Sequence, residues 1–421
     1  MPSPAVVLDS PEDEILLRAL QVRAIGYFLE NQKPGGMVAD RQRNHGPTLD
    51  AGMCSLAATG MGLIAIALAS ADPYGLISRA EAIARVEAAL RAAWDRLPHD
   101  HGMLPHFVDD RSSRPLGLDT FSTVDSSWFF AGALWAADFL NDPGLVDLAG
   151  RIYKRVDWIY WSRPWNSTRP GLIRHGKGPT GKFLRSDWDR ANGETVMMYV
   201  LGAGAEDGRA LPANSWRSTR PFYGELAGYR FNNADLGLFV FQYGLDLLDL
   251  RRWRSPCGLD LAAEAATATT ANREHCRARS DEFRTYRVHW GLSAGDGPGR
   301  KPGMGAYESY APYGPMDGTA HLTSALTSIA HRPAEVLENL RAALQLRISP
   351  LGRYGLSCIN HEARAWVAPD MVGIDAGALV LALENVLMED RVRSVFHGLP
   401  CVSRGLNRLN FRDATAVRRA S

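Results

Sequence analysis

Three stretches of the sequence are apolar on every face of a helix, and this feature constrains the fold more than any other. Residues 51–71 carry no charged side chain over 21 positions, and residues 127–140 and 377–387 are nearly as apolar. A helix that is apolar all round must be enclosed by other parts of the protein. The first stretch is long enough to span a bilayer. Its Ser, Thr and Gly content, and the lack of a comparable second stretch, favour a buried core helix over a membrane span.

Other segments are amphipathic and complement the enclosed ones. In residues 78–97, an apolar stripe of Ile83, Val86, Leu90 and Trp94 runs among charged residues, as expected of a helix that covers something. An alternation of enclosed and covering helices is what a double-layered helical barrel requires. Apolar periodicity predicts about twelve helices, at 12–30, 51–71, 78–97, 123–140, 143–161, 193–202, 234–250, 260–280, 318–330, 333–346, 375–388 and 390–396.

Extended segments are few, the best being 284–290 and 354–359. Strands and helices do not alternate regularly, which argues against a doubly wound sheet. We therefore predict an all-α fold in which one helical domain spans residues 11–411. Residues 1–10 and 412–421 are predicted to be flexible tails.

Composition excludes some functions, and the N-terminal sequence predicts a cellular location. The chain has 47 Lys and Arg against 46 Asp and Glu, a net charge of +1, so it lacks the surplus of cations that nucleic-acid binding requires. Five cysteines are spread singly, so a disulfide framework is not expected. The acidic N-terminal sequence lacks the basic and apolar regions of a secretory signal, which predicts a cytoplasmic protein.

Acidic residues stand at or before the starts of several predicted helices. A single carboxylate in such a position is often only a cap, because the N-terminal end of a helix favours negative charge. Most of these helices, however, are the apolar and hence inner ones, and parallel inner helices bring their N-termini to one rim of a barrel. The sequence therefore predicts several carboxylates around one concavity, contributed by Asp40, Asp125, Glu194, Asp317 and Asp375.

Two carboxylates that flank a pocket are the apparatus of glycoside chemistry, in which one protonates the leaving oxygen and the other acts as nucleophile or activates water. Long Gly- and Pro-rich loops lie at 161–183, 211–230 and 295–315. Aromatic side chains in such loops, or beside helix starts, can stack on sugar rings. The candidates for this role are Trp128, Trp188, Trp290 and Tyr313.

Three motifs suggest other chemistry, each weakly. GMGLIA (60–65) matches a nucleotide-binding fingerprint, but no strand precedes it. GLSAG (291–295) matches a serine nucleophile elbow, with Asp317 and His321 downstream, but Gly and Pro follow it where a helix is required. A metal site at His99, Asp100 and His101 with His106 is disfavoured because the segment has the character of a turn. We predict no metal and no cofactor.

The sequence also resembles a known family. GGMVADR (35–41), FSTVDSSWFFAGAL (121–134), GETVMMYVLG (193–202), WGLSAGDGP (290–298) and GIDAGALVLALENVLMEDRVRSVF (373–396) are similar to segments of the glucoamylase-like domain. That domain occurs in endo-β-1,2-glucanases and in the transglycosylating part of cyclic β-1,2-glucan synthases. The resemblance runs in order from about residue 35 to residue 396, and it implies an (α/α)6 barrel.

The resemblance also implies roles for individual residues. Glu194 matches an acidic residue at the start of the family's middle inner helix, which makes it our choice for proton donor. Asp125 matches the Asp of an S-T-x-D segment and is predicted to be the partner carboxylate or a substrate-binding group. The run Phe241 to Leu245 lacks two histidines that family members tend to have. Further predicted cleft positions are Asp40, Arg41, His106, Gln242, Tyr243, Asp317 and Asp375.

Three functions are compatible with this pattern. The first is a glycoside hydrolase or transglycosylase that acts on a β-linked glucan, of the β-1,2-glucan type, or on a shorter oligosaccharide or glycoconjugate. The second uses the same barrel for other chemistry, such as a terpene-type cyclase, epimerase or lyase, because fold does not fix function. Phe241 and Leu245 would suit the apolar substrate of a cyclase. The third is a sugar-binding module without catalysis.

Overall fold

The computed structural model describes residues 8, 10–301 and 304–413. Most of the two predicted tails, 1–10 and 412–421, lies outside the described residues. Ser10 caps the first helix, because its hydroxyl accepts a hydrogen bond from the Asp13 amide at 3.2 Å. Arg412 and Asp413 form a short strand paired with Trp253–Arg254.

Thirteen α-helices form the frame of the described part of the chain. They are α1 (Pro11–Asn31), α2 (Leu56–Ala69), α3 (Arg79–Arg91), α4 (Thr123–Leu140), α5 (Pro143–Lys154), α6 (Gly193–Gly204), α7 (Phe239–Leu247), α8 (Leu261–Arg277), α9 (Leu322–Thr327), α10 (Pro333–Leu344), α11 (Gly373–Leu387), α12 (Arg391–Gly398) and α13 (Pro400–Arg408). The predicted helical frame is confirmed. The sequence patterns missed α13, and they placed the start of α9 four residues too early.

The helices predicted to be apolar all round are the enclosed ones. Every residue of α2 and α6 is buried, and α4 and α11 are buried along nearly their whole length. α2 has 14 residues, because the first part of the predicted 51–71 helix is a strand instead. None of the helices in the described part of the chain combines the length and hydrophobicity that a bilayer crossing requires.

The enclosed helices contact one another in a closed circuit. α2 packs against α4, α4 against α6, α6 against α7, α7 against α11, and α11 against α2, while α9 packs on α11. The remaining helices cover this ring: α1 lies on α11 and α2, α3 and α5 on α4, α8 on α7, α10 on α9, α12 on α11 and α7, and α13 on α6. Inner and outer helices therefore alternate along the chain from α1 to α6 and again from α7 to α11, whereas α6 and α7 are both inner.

Glycines allow the inner helices to approach closely. A Cβ on Gly132 of α4 would lie 1.8 Å from the carbonyl oxygen of Gly60 in α2, and a Cβ on Gly60 would lie 2.2 Å from that of Trp128. Such distances leave no room for a side chain, and both neighbouring atoms belong to the backbone. The GMGLIA motif thus serves the packing of α2 on α4.

We expect Gly132→Ala to destabilise the fold by about 3 kcal/mol or more, because overpacking against a rigid backbone forces two core helices apart. Urea unfolding followed by circular dichroism measures the change. Gly150→Ala in α5 is the matched control, since its added Cβ would meet nothing within 4 Å. That variant should gain up to about 1 kcal/mol from helix propensity. Equal midpoints for the two variants would contradict the packing argument.

Strands are more numerous than the sequence predicted, so the all-α prediction is corrected in this respect. They are β1 (Val38–Ala39), β2 (Arg41–Arg43), β3 (Met53–Ser55), β4 (Pro105–Asp109), β5 (Pro115–Ser122), β6 (Gly176–Lys177), β7 (Tyr223–Leu226), β8 (Tyr229–Asn232), β9 (Trp253–Arg254), β10 (Ala294–Lys301), β11 (Met304–Ser309), β12 (Thr319–Ala320), β13 (Ile359–Asn360), β14 (Trp366–Val367), β15 (Asp370–Val372) and β16 (Arg412–Asp413). The predicted strand at 284–290 is wrong, because residues 284–287 form a 3₁₀ turn.

The strands gather where inner helices begin. β1, β3, β4, β5 and β6 form one antiparallel sheet, β12, β13 and β14 form a second, and β2 pairs with β15. β3 runs directly into α2, β5 into α4 and β15 into α11. These junctions build one rim from short strands, which position the first residues of the inner helices.

Candidate active site

The two carboxylates predicted to be catalytic stand at the starts of neighbouring helices. Glu194 is the second residue of α6, whose start is fixed by a capping box: Asn192 Oδ1 accepts from the Thr195 amide, and the Thr195 hydroxyl accepts from the Asn192 amide, both at 2.9 Å. Asp125 is the third residue of α4, which begins after the cap Ser122. α4 and α6 are in contact.

Glu194 is held in an environment that favours its neutral form. Burial raises the pKa of Glu194 to about 7, and the negative charge of Asp125 adds to this shift. The indole N–H of Trp128, one turn after Asp125 on α4, donates to the Glu194 carboxyl and opposes the shift. Glu194 as a whole residue is 9 % exposed. A carboxylic acid with this pKa can hold a proton, and release it, near neutral pH.

Asp125 lies between two groups that support its anionic form. The Ser122 hydroxyl donates to Asp125 Oδ2 at 2.5 Å, and His106 Nε2 lies 3.5 Å from Asp125 Oδ1. Burial raises the pKa of Asp125 above its usual value, and His106 and Ser122 oppose this shift without cancelling it. The other ring nitrogen of His106, Nδ1, lies 2.5 Å from Asp119 Oδ2 on β5. Burial by itself would lower the pKa of His106, but Asp125, Asp119 and Asp40 together raise it.

These neighbours set the order in which the pair ionises. The anion of Asp125 has an imidazole and a hydroxyl beside it, while the anion of Glu194 has one indole N–H and faces the charge of Asp125. Asp125 therefore loses its proton first, and its charge then retains the proton on Glu194. Two carboxyl groups with separated pKa values are suited to different tasks, one as acid and one as anion.

A second group of charges is centred on Arg41. Its guanidinium lies 3.5 Å from Asp40, 3.2 Å from Asp296 on β10 and 3.9 Å from Asp370 on β15. Burial raises the pKa of both Asp40 and Asp296, and Arg41 lowers both. The Asp40 carbonyl accepts from Gly373, the first residue of α11, at 2.7 Å, so this group is joined to the start of α11.

Asp375, the third residue of α11, completes the ring of acids. The Tyr243 hydroxyl donates to Asp375 Oδ1 at 3.1 Å, and His321 Nε2 lies 3.3 Å from Asp375 Oδ2. His321 Nδ1 accepts from the Ser324 amide at 3.1 Å, so the proton of a neutral His321 is on Nε2, towards Asp375. The ring of Tyr243 meets that of Trp128 edge to face at 6.2 Å, which connects Asp375 to the surroundings of Glu194.

The acids converge on a common space. The pKa of Tyr307 on β11 is raised by burial of its hydroxyl and by the charges of Asp375, Asp296 and Asp40. The charge of Asp40 also raises the pKa of His106, and the charge of Glu194 raises the pKa of Tyr243. The starts of α4, α6 and α11 and the strands β2, β4 and β10 therefore surround one region that is rich in carboxylates and aromatic rings.

A comparison with protein families identifies the family of this chain. A family model described as "putative glucoamylase" matches residues 185–400, just over half of the chain. The chain belongs to this family. The resemblance deduced from the sequence motifs is thus confirmed, and no curated protein matches the sequence.

Solved structures similar to this glucoamylase-family protein share its fold. A "putative glucoamylase" from Bacteroides uniformis has a TM-score of 0.84 at 22% identity, over 96% of this chain and 99% of that one. The endo-β-1,2-glucanase from Chitinophaga pinensis, solved with sophorotriose and glucose, has a TM-score of 0.82 at 19% identity over 96% and 99%. That from Talaromyces funiculosus, solved with sophorose, has a TM-score of 0.60 at 12% identity over 97% and 89%.

In this glucoamylase-family protein, Gln242 does not face the acids. Its amide nitrogen donates to the Ser324 carbonyl at 2.9 Å and to the Ser328 hydroxyl. Its amide oxygen accepts from Thr327 at 2.8 Å and from the Ser324 hydroxyl at 3.3 Å. These four partners use the hydrogen-bonding capacity of the amide, so Gln242 joins α7 to α9, contrary to the predicted cleft position.

Trp188 and Tyr313, two aromatic residues predicted to stack on sugar rings, lie at other positions on the rim. Trp188 donates from Nε1 to the Thr123 hydroxyl at 3.0 Å and stacks on His175 at 4.0 Å, beside the first residue of α4. Tyr313 is 67 % exposed, and its hydroxyl donates to the Glu225 carbonyl on β7. Trp188 is therefore close to the Asp125 helix start, while Tyr313 lies on an outer loop.

Two further predicted residues have surroundings that the sequence did not indicate. Trp290 is 3 % exposed, and its backbone carbonyl accepts from Asn339 on α10 at 3.4 Å, so this residue is buried beside an outer helix. Asp317 does not open a helix, because α9 begins after His321. Its carboxylate instead accepts from Thr319 at 2.9 Å and from Tyr310 at 3.0 Å.

The competing motifs have structural uses. Ser293 of the GLSAG motif is 1 % exposed, and its hydroxyl accepts from the first amide of α7, that of Phe239, at 3.2 Å. Asp100 of the His99-Asp100-His101 run lies 2.5 Å from His101 Nδ1 and pairs with Lys177. Neither arrangement is that of a catalytic nucleophile or of a set of metal ligands.

Site residues that the sequence patterns missed came from strands. Asp119, Asp296 and Asp370 lie on β5, β10 and β15, and His321 precedes α9. Asp296 stands in the WGLSAGDGP segment, which carried part of the family resemblance. The likeness of this segment to the family was the signal from which Asp296 could have been predicted. Asp119 and Asp370 carried none, since neither β5 nor β15 has a regular alternation of buried and exposed residues.

Proposed function

We propose that this protein is a glycoside hydrolase or transglycosylase of β-linked glucans, with Glu194 as the proton donor and Asp125 as the partner carboxylate. The observation that carries the proposal is the pairing of Glu194, whose pKa is raised to about 7, with a carboxylate stabilised by His106 and Ser122. Proton donation to a glycosidic oxygen needs an acid that is still protonated near neutral pH.

The inner ring and its covering helices are proposed to be an (α/α)6 barrel. α2, α4, α6, α7, α9 and α11 would be the inner members, and each has an outer helix against it. The short strands at the starts of the inner helices then form the mouth of the barrel. This arrangement explains how carboxylates that are distant in sequence can act on one bond.

In the proposed mechanism, Glu194 transfers its proton to the oxygen of the scissile bond as that bond breaks. Trp128 fixes the carboxyl orientation through its indole N–H. Asp125 provides the negative charge that the developing oxocarbenium ion requires, either directly or through a water molecule. His106, held between Asp125 and Asp119, keeps Asp125 anionic.

Neutral polar substrates fit these surroundings better than apolar ones. The carboxylates of Asp40, Asp296 and Asp375 can accept hydrogen bonds from sugar hydroxyls, and Arg41 can donate. Phe241 and Leu245, which would have suited a cyclase, are both 4 % exposed and are used in packing: Phe241 meets Phe231 of β8 at 6.0 Å, and the Leu245 side chain lies against Gly193 at the start of α6.

The test is turnover on a panel of linear β-1,2-, β-1,3-, β-1,4- and β-1,6-glucans and their oligosaccharides, assayed by reducing ends and by chromatography of transfer products. We expect activity on at least one β-linked glucan, with β-1,2-glucan first among them because of the family likeness. Glu194→Gln serves as the blank. Binding without any turnover across the panel would favour a sugar-binding module instead.

A further inference from the structure

A cavity of about 620 Å³ lies apart from the carboxylates, beside the sheet of β12, β13 and β14. Cys358, one residue before β13, borders the acid-rich region, since its pKa is affected by His321 and Asp375. The next residue, Ile359, lines this second cavity. The cavity and the candidate active site thus lie close to the same strand but share none of the residues described above as carrying the chemistry. Its volume falls in the range of small-molecule sites, about 300–1,000 Å³.

The charge of the cavity is positive. Its described lining contains Arg284, Arg347 and Arg364 and no acidic residue. Glu362 lies 3.4 Å from Arg284 and compensates that charge. Within residues 8, 10–301 and 304–413, no carboxylate pairs with Arg347 or Arg364. Burial lowers the pKa of His361, the remaining titratable lining residue, so the excess charge comes from these two guanidinium groups.

The rest of the lining is apolar and partly exposed. Trp366 and Ile348 face the cavity together with Ile359 and Leu346, and Ile348 is 52 % exposed. Arg347 and Arg364 are also exposed, so the apolar surface of Ile348 and Trp366 lies open beside two accessible guanidinium groups. A flat apolar group could cover this surface.

The turn that carries Arg364 is strained. Arg364 and Ala365 both have left-handed backbone angles, with φ of 56° and 58°. Turns of this kind between paired strands usually use Asn or Gly, which adopt positive φ with little cost. Strained residues persist where the surroundings fix them, and they are frequent at binding sites. Here the strain places a guanidinium at the cavity.

We propose that this cavity binds a small organic anion with a flat apolar body. Arg347 and Arg364 would hold the anionic group, because guanidinium forks match phosphate and carboxylate oxygens. Trp366 and Ile348 would cover the apolar body. The proposal is independent of the glycosidase function.

Isothermal titration of the full chain with adenosine 5′-monophosphate, adenosine and inorganic phosphate tests it. We expect the nucleotide to bind at least about tenfold more tightly than either fragment, since each contributes one half of the contacts. Phenyl phosphate, which keeps an anion and a flat ring but no nucleobase, should also bind. Failure of both organic phosphates to bind at millimolar concentration would overturn the proposal.

Variants assign the two halves of the site. The double variant Arg347→Ala/Arg364→Ala should weaken nucleotide binding at least about tenfold, whereas Arg217→Ala, at an exposed arginine outside the cavity, should leave it unchanged. Trp366→Leu should remove the preference for the nucleotide over inorganic phosphate. Thermal melting checks that each variant is folded. Undiminished binding to the double variant, or equal weakening by Arg217→Ala, would place the anion elsewhere.

Discussion

Replacing Glu194 by Gln is expected to lower turnover of the glucan substrate about a thousandfold, because general acids contribute between about 100-fold and 10,000-fold to such reactions. Gln has the shape of Glu and can still accept from Trp128, but it cannot give up a proton. Substrate affinity should change little. The measurement is kcat and KM on the substrate found in the panel. Retention of full activity would remove Glu194 from the mechanism.

A stability measurement on Glu194→Gln distinguishes a loss of catalysis from a loss of folding. Burial in the fold raises the pKa of Glu194 from its ordinary value of 4.5 to about 7. The folded protein therefore keeps a proton that the unfolded chain releases, and this contribution to stability, present below pH 4.5, is lost as pH rises towards 7. Its full size is about 3 kcal/mol as an order of magnitude. Glu194→Gln lacks this loss. Its stability relative to wild type should therefore be greater at pH 8 than at pH 4.

Asp125→Asn is expected to change both the rate and its pH dependence. Turnover should fall by a factor of about 100 or more if Asp125 supplies the partner charge. Because the charge of Asp125 raises the pKa of Glu194, its removal should lower that pKa. The alkaline limb of the pH–rate profile, where Glu194 loses its proton, should then move to lower pH.

Asp119→Asn is the charge-matched control for this effect. Asp119 contacts His106 on the side away from Asp125 and is not among the groups that shift the pKa of Glu194. Its removal should lower the pKa of His106 while leaving the alkaline limb of the profile near its wild-type position. An alkaline limb that stays in place in Asp125→Asn, or that moves equally in both variants, would show that Asp125 and Glu194 do not act as a pair.

The proposed active site also explains why the capping signals at its helices were ambiguous. Asp125 lies within a Ser122-x-x-Asp125 pattern, which is formally a capping box. In the structure the Ser122 hydroxyl donates to the Asp125 side chain, so the same two residues serve the helix start and the carboxylate. At α6 the separate pair Asn192 and Thr195 caps the helix, which leaves Glu194 free of that role.

What the sequence could determine by itself was local. The predicted bounds 123–140 agree with α4, and those of α1, α6 and α10 differ at the ends by two residues or fewer, because apolar periodicity over several turns is recorded in contiguous residues. The enclosed character of α2 and α11 was likewise visible, since a helix without a polar face has to be covered on all sides.

Only the tertiary structure decided which distant groups meet. Arg41 contacts Asp296 and Asp370, which lie 255 and 329 positions later in the chain, and Gln242 turns to α9 although its neighbour Tyr243 reaches Asp375. The pKa of Glu194 depends on burial and on a charge 69 positions earlier in the chain. Helix formation is a property of neighbours in sequence, whereas the environment of a carboxyl group is made by neighbours in space.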